Sequence, residues 1–494
     1  MRILHDWEMV ALHDLAIRGA LIEDGSGCPA YAGDIAIDGS FIAALGEVGA
    51  AHAEINAQGL VAAPGFIDAH THDDMELHRN PNNQSKLRQG VTTVVCGCCG
   101  FSAFPHSPPQ RSPDLLGVEG NWRSYREYRE TLLGHGIGTN LVAFVGHNTV
   151  QRLLCGLGSA EPSAVALVNI CDEIRRAMDE GAFGVSTGLI YRPGREVSTA
   201  ALSQIVATVA DYGGIHNTHI RNEADALIDA LAEAISIAED TGVGLQISHL
   251  KVIGEHNWGS LGDALSVLDA ARVQGIDIGF DVYPYCAGSG PLSTYFPPEN
   301  IDETRALLVQ IIRCLDYPEF EGRRLGEIAE EQGTSVASIV RQLVTAPQAN
   351  ETLCVIFEIH EDDMLKALLH PLAMIGSDGI PQEHGVPHPR LLGTFPRTLG
   401  YYCRERSVLS QSTAIAKMTS VPAARFRLDN RGLLQVGYVA DVVLFDPATV
   451  ADRGTYTSRA FPTGIHHVFV NGQHAISESV LTGVRAGEVL SASP

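Results

Sequence analysis

The chain has 494 residues and a formal net charge of −24. Phosphate groups and anionic membranes are bound by clustered Lys and Arg, and no basic run interrupts the acidic balance, so we exclude nucleic acid and membranes as partners and expect a small-molecule ligand. With 45% hydrophobic and 19% charged residues, the composition is typical of a globular protein, and the length favours one large domain with a smaller one.

The start of the chain and its cysteines predict a cytoplasmic location. Residues 1–20 contain charges and no apolar run of signal-peptide length. The sequence contains no stretch of about 18 apolar residues, so no membrane span is predicted. Several of the ten cysteines crowd into VVCGCCGF, which is poor spacing for a disulfide framework. We therefore expect reduced thiols, with metal binding left open.

The two ends of the chain show the same sequence pattern. Residues 1–63 and 422–494 carry short alternating segments with glycine punctuation, such as GDIAIDGSFIAALGEV and IHHVFVNGQHAI. This pattern is typical of small antiparallel strands. We predict a small β-sandwich domain built from both termini, which flank a central domain of residues 64–421.

The central part alternates strand-like runs with amphipathic helical segments such as residues 222–242. The predicted strands are 65–72, 92–99, 140–147, 183–188, 214–220, 244–250, 278–285 and 372–379. Eight strands separated by helices predict an α/β fold, a (β/α)8 barrel of TIM type. Residues 286–371 exceed what one helix needs and are predicted to form an insertion between strands seven and eight.

Candidate metal ligands follow several predicted strands at their C-terminal ends, where the active site of such a barrel lies. They are His70, His72, Cys99, His219, His249 and Asp378. His70 and His72 stand two apart on a strand, so their side chains face the same way. Imidazole, thiolate and carboxylate groups together are the ligand set of zinc, and their wide spacing favours an open catalytic site over a zinc finger.

Longer motifs connect these residues to a known family. PGFIDAHTHDD, the distant single histidines and the late SDG resemble the amidohydrolase superfamily. Nearly the whole chain resembles the N-acyl-D-amino-acid deacylase (D-aminoacylase) family. The matching motifs are GVTTVVCGCCG, STGLIY, HIRNEAD, ISHLK, DVYPYCAGS, SDGIPQEHGVPHPRLLGTFPR and GLLQVGYVADVVLFDPATVAD. This resemblance implies a zinc-dependent enzyme that cleaves N-acyl-D-amino acids to a carboxylate and a free D-amino acid.

The absence of a lysine after strand four supports the resemblance to the deacylase family in particular. Many members of the superfamily bridge two metals with a carboxylated lysine after strand four, near FGVSTGLIY in this chain. The lysines stand elsewhere, at Lys86, Lys251, Lys366 and Lys417. The deacylase family is similar in using a cysteine after strand two, in a Gly-Asn-Cys-Gly pattern. Alignment of that pattern with GCCG implies Cys99 as the bridging ligand, leaves Cys98 able to compete for metal, and places Cys96 in the strand.

The resemblance also implies how the ligands divide between two metals. The tight site would use Cys99, His219 and His249, and a weaker site would use His70, His72 and Asp378 with Cys99 shared. Zinc lowers the pKa of a bound water to about 7. Asp378 is expected to accept that water's proton and deliver it to the leaving amine.

Substrate-binding residues are implied by the same resemblance. The α-carboxylate of an N-acyl amino acid prefers Arg, Lys and Tyr donors. The matching residues are Lys251, Tyr283, Ser289 and Arg390, with Tyr191 nearby. Core packing is the alternative reading of Tyr283, and an ordinary surface position is the alternative reading of Arg390.

The segment after YPY predicts which amino-acid side chain the pocket accepts. Family members that prefer acidic D-amino acids carry an arginine there, but this chain has no Lys or Arg between Cys286 and Asp302. Tyr295 and Phe296 offer aromatic surface instead, so we predict a preference for apolar side chains. Arg192 and Arg195, beyond strand four, complicate this prediction.

Two other readings remain open. A cyclic-amide hydrolase, such as a hydantoinase or a dihydroorotase-like enzyme, would share the barrel and the His-x-His motif but usually needs the missing lysine. A metal-free scaffold protein would be expected to have lost ligands, whereas every expected ligand position is occupied. We interpret His147, His466 and His467 as structural, and the sequence leaves the oligomeric state open.

Overall fold

The computed structural model describes residues 12–106, 120–156 and 161–492. Residues 1–11 and 493–494, which the sequence analysis assigns to the β domain, lie outside this description. Within it, the chain forms a parallel eight-stranded barrel and a β domain to which both chain ends contribute. The predicted fold class is confirmed.

The β domain is one hydrogen-bonded sheet that folds back on itself. Its described strands are His13–Ile22, Tyr31–Asp38, Phe41–Gly46, Ala51–Asn56, Val61–Pro64, Val442–Phe445, Ile465–Val470, Gln473–Ser477 and Val480–Leu481. Val61–Pro64 pairs antiparallel with Val442–Phe445 and so joins the two chain ends. At the other edge, Ile42 N donates to Tyr438 O at 2.9 Å, which closes the sheet around an apolar core.

The first strand of this sheet bends at a bulge. Its pairing register shifts between Ile17 and Ala20. Gly19 lies in this interval with φ +70, a conformation that glycine adopts without steric cost. The bend lets the two halves of the strand pair with different neighbours, Ala51–Asn56 and Val61–Pro64.

The barrel strands are parallel, and each overlaps a predicted strand. Barrel strands 1 to 8 are Phe66–Asp68, Val91–Cys96, Asn140–Ala143 with its continuation Val145–Gly146, Gly184–Gly188, Ile215–His219, Gly244–Ile247, Ile278–Val282 and Ala373–Ile375. A parallel bridge between Thr71 and Gly379 closes the ring from strand 8 to strand 1. Helices cover the outside, so both faces of the strands are buried.

The described α-helices are Glu76–Arg79, Gln84–Leu87, Tyr125–His135, His147–Cys155, Ala164–Asp179, Thr199–Ala207, Leu227–Thr241, Leu261–Val273, Leu292–Tyr295, Glu303–Ala306, Leu325–Gln332, Val336–Val344, Glu361–Leu369, Arg390–Arg397, Gln411–Met418 and Ser420–Arg425, and Thr398–Glu405 is a π-helix. Among them, none is long and apolar enough to cross a membrane.

The segment 286–371 consists of two parts. Strands Gly288–Pro291, Val309–Arg313 and Leu353–Ile356 form a separate antiparallel sheet, which packs with its own helices around its own apolar core. Helix Glu361–Leu369 instead packs on barrel helix Leu261–Val273 and strand 8. That helix therefore completes the barrel layer, and the inserted subdomain ends before it.

Candidate metal centre and active site

The structure brings the six predicted metal ligands together at the C-terminal mouth of the barrel. All of them are buried, with at most 6% of each residue exposed: His70, His72, Cys99, His219, His249 and Asp378. They come from strands 1, 2, 5, 6 and 8, so the centre depends on closure of the whole barrel.

Cys99 lies at the middle of this cluster. Its Sγ is 3.4 Å from His70 Nε2, 3.6 Å from His219 Nδ1 and 3.4 Å from His249 Nε2. Ligands of one tetrahedral zinc, with Zn–S near 2.3 Å and Zn–N near 2.0–2.1 Å, lie about 3.5 Å apart. The spacing of these donor atoms therefore fits zinc.

A second group of donors adjoins the first. Asp378 Oδ1 lies 3.1 Å from His72 Nε2 and 3.6 Å from His70 Nε2. Because His70 Nε2 also contacts Cys99, the thiol lies between the two groups. This position allows the two groups of donors to share Cys99 as a ligand.

The protonation of two imidazoles in the cluster also suits a metal. Burial lowers the pKa of His219 and of His249 well below its ordinary value, which keeps both imidazoles in the neutral form that binds metal. Burial raises the pKa of the Cys99 thiol, as do Asp378 and Asp281. Formation of the thiolate therefore needs an added cation at this position.

Three of the ligands occupy a left-handed backbone conformation. Cys99 has φ 54°, His249 has φ 35° and Asp378 has φ 48°. This conformation is uncommon for residues other than glycine, costs about 1–3 kcal/mol each and clusters at functional sites. Hydrogen bonds to residues distant in the sequence stabilise two of these conformations: His249 N donates to Asp281 Oδ1 at 2.8 Å, and Asp378 N donates to His70 O at 2.7 Å.

Two carboxylates that the sequence did not reveal lie beside imidazoles of the cluster. Asp281 Oδ1 lies 3.2 Å from His70 Nδ1. Glu223 Oε1 lies 3.1 Å from His249 Nδ1, and Glu223 Oε2 lies 3.7 Å from His219 Nε2. A carboxylate on the nitrogen opposite the metal fixes the tautomer and ring orientation of a ligating histidine. The spacing of four residues between His219 and Glu223 was the available signal.

A turn places Glu223 in the site. The segment 222–242 was predicted as helical, but the helix begins at Leu227. Asn222 Oδ1 accepts hydrogen bonds from Ala224 N at 2.7 Å and Ala226 N at 3.2 Å. Because an Asn side chain competes in this way with helical hydrogen bonding, residues 222–226 form a turn.

A buried lysine connects strand 1 to the loop that carries Asp378. Lys86 Nζ lies 2.8 Å from both Asp68 Oδ2 and Ser377 Oγ. Burial lowers the pKa of Lys86, but Asp68 and Asp73 raise it more, so the net shift is upward and the amine stays charged. Lys86 therefore has a structural function near the site, and it lies far along the chain from strand 4.

Four of the predicted substrate-binding residues lie on one side of the centre. Arg390 Nη2 is 2.9 Å from Asp378 Oδ2 and 3.3 Å from the carbonyl oxygen of Ser289. Its guanidinium carbon lies 4.6 Å from the ring centroid of Tyr283. Lys251 Nζ lies 5.8 Å from that centroid and 2.5 Å from Glu223 Oε1. The surface reading of Arg390 is wrong, because 1% of the residue is exposed.

Donor atoms remain available beside this group. Within the described part of the chain, Arg390 Nε, Arg390 Nη1 and Tyr283 Oη are buried without a hydrogen-bond partner. Leaving such groups unpaired costs free energy, so they are suited to receive a ligand's carboxylate. Ser289 is buried, and its backbone carbonyl oxygen accepts a hydrogen bond from Arg390.

Tyr191 lies at strand 4, where it contacts the metal centre. Its ring centroid is 5.1 Å from that of His219 and 5.2 Å from that of Phe101. Tyr191 also lines a cavity of about 360 Å³ between the loop after strand 4 and the inserted subdomain. The other described lining residues are Phe101, Arg152, Ile190, Arg192, Arg195, Pro291, Ser293, Thr294, Pro297, Pro298, Glu299 and Asn350.

Three other residues from the sequence analysis belong to none of the candidate metal clusters formed by the described residues. Cys98 Sγ contacts Val95 O and Asn217 Nδ2, each at 3.6 Å. His147 is buried beside Asn148, and burial lowers its pKa to about 4. Phe296 belongs to the core of the inserted subdomain, so the expectation that it lines the substrate pocket is wrong.

Comparison with known proteins places this geometry in a family. A model described as "Amidohydrolase family" matches residues 325–476. A D-aminoacylase from Alcaligenes xylosoxydans xylosoxydans is 39% identical over 97% of each chain, and an N-acyl-D-glutamate deacylase from the same organism is 37% identical over 93% of each.

Solved structures agree. An N-acyl-D-glutamate deacylase from Bordetella bronchiseptica, complexed with zinc and a phosphonate inhibitor, is 35% identical with a TM-score of 0.91, covering 98% of this chain and 100% of that one. An L-hydantoinase from Arthrobacter aurescens is 17% identical with a TM-score of 0.61, covering 97% and 100%, and shares the fold alone. This chain belongs to the N-acyl-D-amino-acid deacylase (D-aminoacylase) family of the amidohydrolases.

Proposed function

We propose that this protein hydrolyses the amide bond of N-acyl-D-amino acids, releasing a carboxylate and a free D-amino acid, and that it requires zinc. The observation that carries the proposal is the arrangement around Cys99. A buried thiol contacts three imidazoles at 3.4–3.6 Å, and Arg390 and Tyr283 lie next to that cluster with unpaired donors. The cluster around Cys99 suits an amide carbonyl, and the donors of Arg390 and Tyr283 suit an α-carboxylate.

The proposed division of the metal ligands follows the family resemblance. We propose that the tight zinc is held by Cys99, His219 and His249, and that His70, His72 and Asp378 form a weaker site that shares Cys99. Bound zinc polarises a carbonyl and lowers the pKa of water, which supplies a nucleophile at neutral pH.

Asp378 is the proposed general base and acid. Burial raises its pKa, but Arg390, His249 and His72 lower it more, so the pKa lies well below its ordinary value and the side chain is a carboxylate. The carboxylate accepts the proton of the attacking water and delivers it to the amide nitrogen as the C–N bond breaks. The nitrogen then leaves as a neutral amine.

Arg390, Tyr283 and Lys251 are the proposed ligands of the α-carboxylate. Arg390 supplies charge and two unpaired N–H groups, and Tyr283 supplies a hydroxyl. The Ser289 carbonyl positions the guanidinium. Tyr191, on the other side of His219, is a proposed wall of the substrate pocket.

We propose that apolar amino-acid side chains are preferred. Burial of a carboxylate needs a paired cation, and residues 287–301 contain no Lys or Arg. The nearby Arg305 lies 5.5 Å from the ring of Tyr295, but its Nε and Nη2 each contact Glu358 at 2.8 Å. That charge is therefore already neutralised.

We also propose that the enzyme works in the cytoplasm. All ten cysteines are free thiols in the structure. A reducing compartment would keep Cys99 available as a thiolate ligand.

The test combines metal analysis with activity. Purified protein should contain about one to two zinc ions per chain. Removal of zinc by a chelator should abolish hydrolysis of N-acetyl-D-leucine, and added zinc should restore it. Full activity in demonstrably metal-free protein would overturn the proposal. Hydrolysis of hydantoins without hydrolysis of N-acetyl-D-amino acids would favour the cyclic-amide alternative.

A further inference from the structure

The cavity beside the metal centre is rich in arginine. Among the lining residues that the structure describes, Arg152, Arg192 and Arg195 are the cations and Glu299 is the one acid. This local excess of positive charge contrasts with the net charge of −24 for the chain. The mechanism proposed above uses none of these four residues.

Local contacts leave the charge of two of these arginines available. Arg192 Nε lies 3.3 Å from Glu196 Oε1, but 72% of the Arg192 side chain is exposed, and exposed ion pairs are weak. Arg195 donates from Nε to the carbonyl oxygen of Ile190 at 2.9 Å, a group without net charge. The loop after strand 4 carries both arginines, so its side of the cavity attracts anions.

The cavity adjoins the candidate metal centre, where the proposed reaction takes place. Tyr191 and Phe101 both line it, and Tyr191 also packs against the ligand His219. Phe101 follows Cys99 by two residues, and the guanidinium carbon of Arg152 lies 4.9 Å from its ring centroid. One aromatic side chain separates the arginine-lined space from the metal centre.

The positions of the barrel strands indicate which half of the substrate enters this cavity. The proposed α-carboxylate ligands follow strands 6, 7 and 8, whereas the barrel residues that line the cavity follow strands 2, 3 and 4. In a closed ring of eight strands these groups lie on opposite sides. The acyl chain and the amino-acid half extend in opposite directions from an amide carbon held at the centre. With the α-carboxylate anchored, the acyl chain points toward the arginines.

We propose, on the basis of the function proposed above, that this cavity binds the distal carboxylate of a dicarboxylic acyl group. N-succinyl- and N-glutaryl-D-amino acids are then better substrates than N-acyl-D-amino acids with neutral acyl chains. Arginine suits the role because its planar N–H groups pair with both oxygens of a carboxylate. Arg192, with its exposed side chain, determines this acyl specificity.

The experiment compares kcat/KM for N-succinyl-D-leucine and for N-pentanoyl-D-leucine, which has a similar length and no acyl charge. The zinc-loaded enzyme should favour the succinyl substrate by about tenfold or more, and Arg192→Gln should remove most of that ratio. Arg192→Lys should retain part of it, because the charge remains. Arg126→Gln is the matched control: the Arg126 side chain is 68% exposed and lies 3.9 Å from Glu180, away from the cavity, so the ratio should not change.

Three results would overturn the inference. The first is an equal rate on the two substrates by the wild type. The second is a succinyl preference that Arg192→Gln leaves intact. The third is an Arg192-dependent preference for N-acetyl-D-glutamate over N-acetyl-D-leucine, which would assign the cavity to the amino-acid side chain. In each case turnover of N-acetyl-D-leucine leaves the proposed function standing, whereas no turnover of any N-acyl-D-amino acid would refute that function itself.

Discussion

Arg390 and Asp378 form a buried ion pair, with Nη2 of the arginine 2.9 Å from Oδ2 of the carboxylate. The pair joins the proposed α-carboxylate ligand to the proposed general base. Substrate binding and base orientation therefore depend on the same guanidinium. The remaining buried donors of Arg390 have no partner among the described residues, so it can hold both carboxylates at once.

Asp378→Asn should separate proton transfer from metal binding. The amide keeps the shape of the carboxylate and can no longer act as a base, so kcat should fall by about 10²–10⁴. Zinc content, measured by atomic absorption, should persist, because the tight site is assigned to Cys99, His219 and His249. Loss of tight zinc in this variant would instead make Asp378 mainly a ligand.

Arg390→Lys should impair binding although the charge is kept. Lysine offers a point charge in place of the planar fork and cannot contact both carboxylates in the same way. We expect kcat/KM for N-acetyl-D-leucine to fall by about 10²-fold or more, in steady-state assays at constant zinc. Arg397→Lys is the control, since Arg397 is paired with Asp452 instead. Equal losses in both variants would argue against the assigned role.

Alanine variants of the three neighbouring cysteines test which thiol binds the metal. Cys99→Ala should remove tight zinc and nearly all activity, because its Sγ contacts three candidate ligands. Cys96→Ala and Cys98→Ala should leave both largely intact, because neither cysteine belongs to a candidate metal cluster of the described residues. The readouts are zinc content and kcat. If Cys98→Ala were as damaging as Cys99→Ala, the alignment of GCCG would be wrong.

Glu223→Gln should weaken zinc binding without removing a proposed ligand. The carboxylate lies 3.1 Å from His249 Nδ1 and next to His219, and loss of such a partner lowers metal affinity by about 10–100-fold. Competition with a chromogenic chelator measures the affinity. Asp225→Asn is the control, because Asp225 lies in the same turn but contacts His256 and Asn257 at the surface. Unchanged affinity in Glu223→Gln would contradict the positioning role.

The sequence predicted the barrel because apolar strands and amphipathic helices alternate, and it indicated the ligands because polar residues stand at strand ends. It missed Glu223, since the surrounding apolar spacing is helical and the competing Asn222 turn is a local detail. Asp281 and the structural role of Lys86 were missed because their partners are distant in sequence and meet only when the barrel closes. Phe296 was misplaced because an aromatic residue in an insertion can pack into either of two cores.

The most direct test of the central claim is a comparison of kcat/KM for N-acetyl-D-leucine and N-acetyl-L-leucine with the zinc-loaded enzyme, with N-acetyl-D-glutamate and N-acetyl-D-aspartate alongside. We predict hydrolysis of the D-leucine substrate at least about 10²-fold faster than of its enantiomer. The apolar D-substrate should also exceed both acidic ones. Hydrolysis of the L-enantiomer at an equal or higher rate, or of none of these amides, would contradict the account.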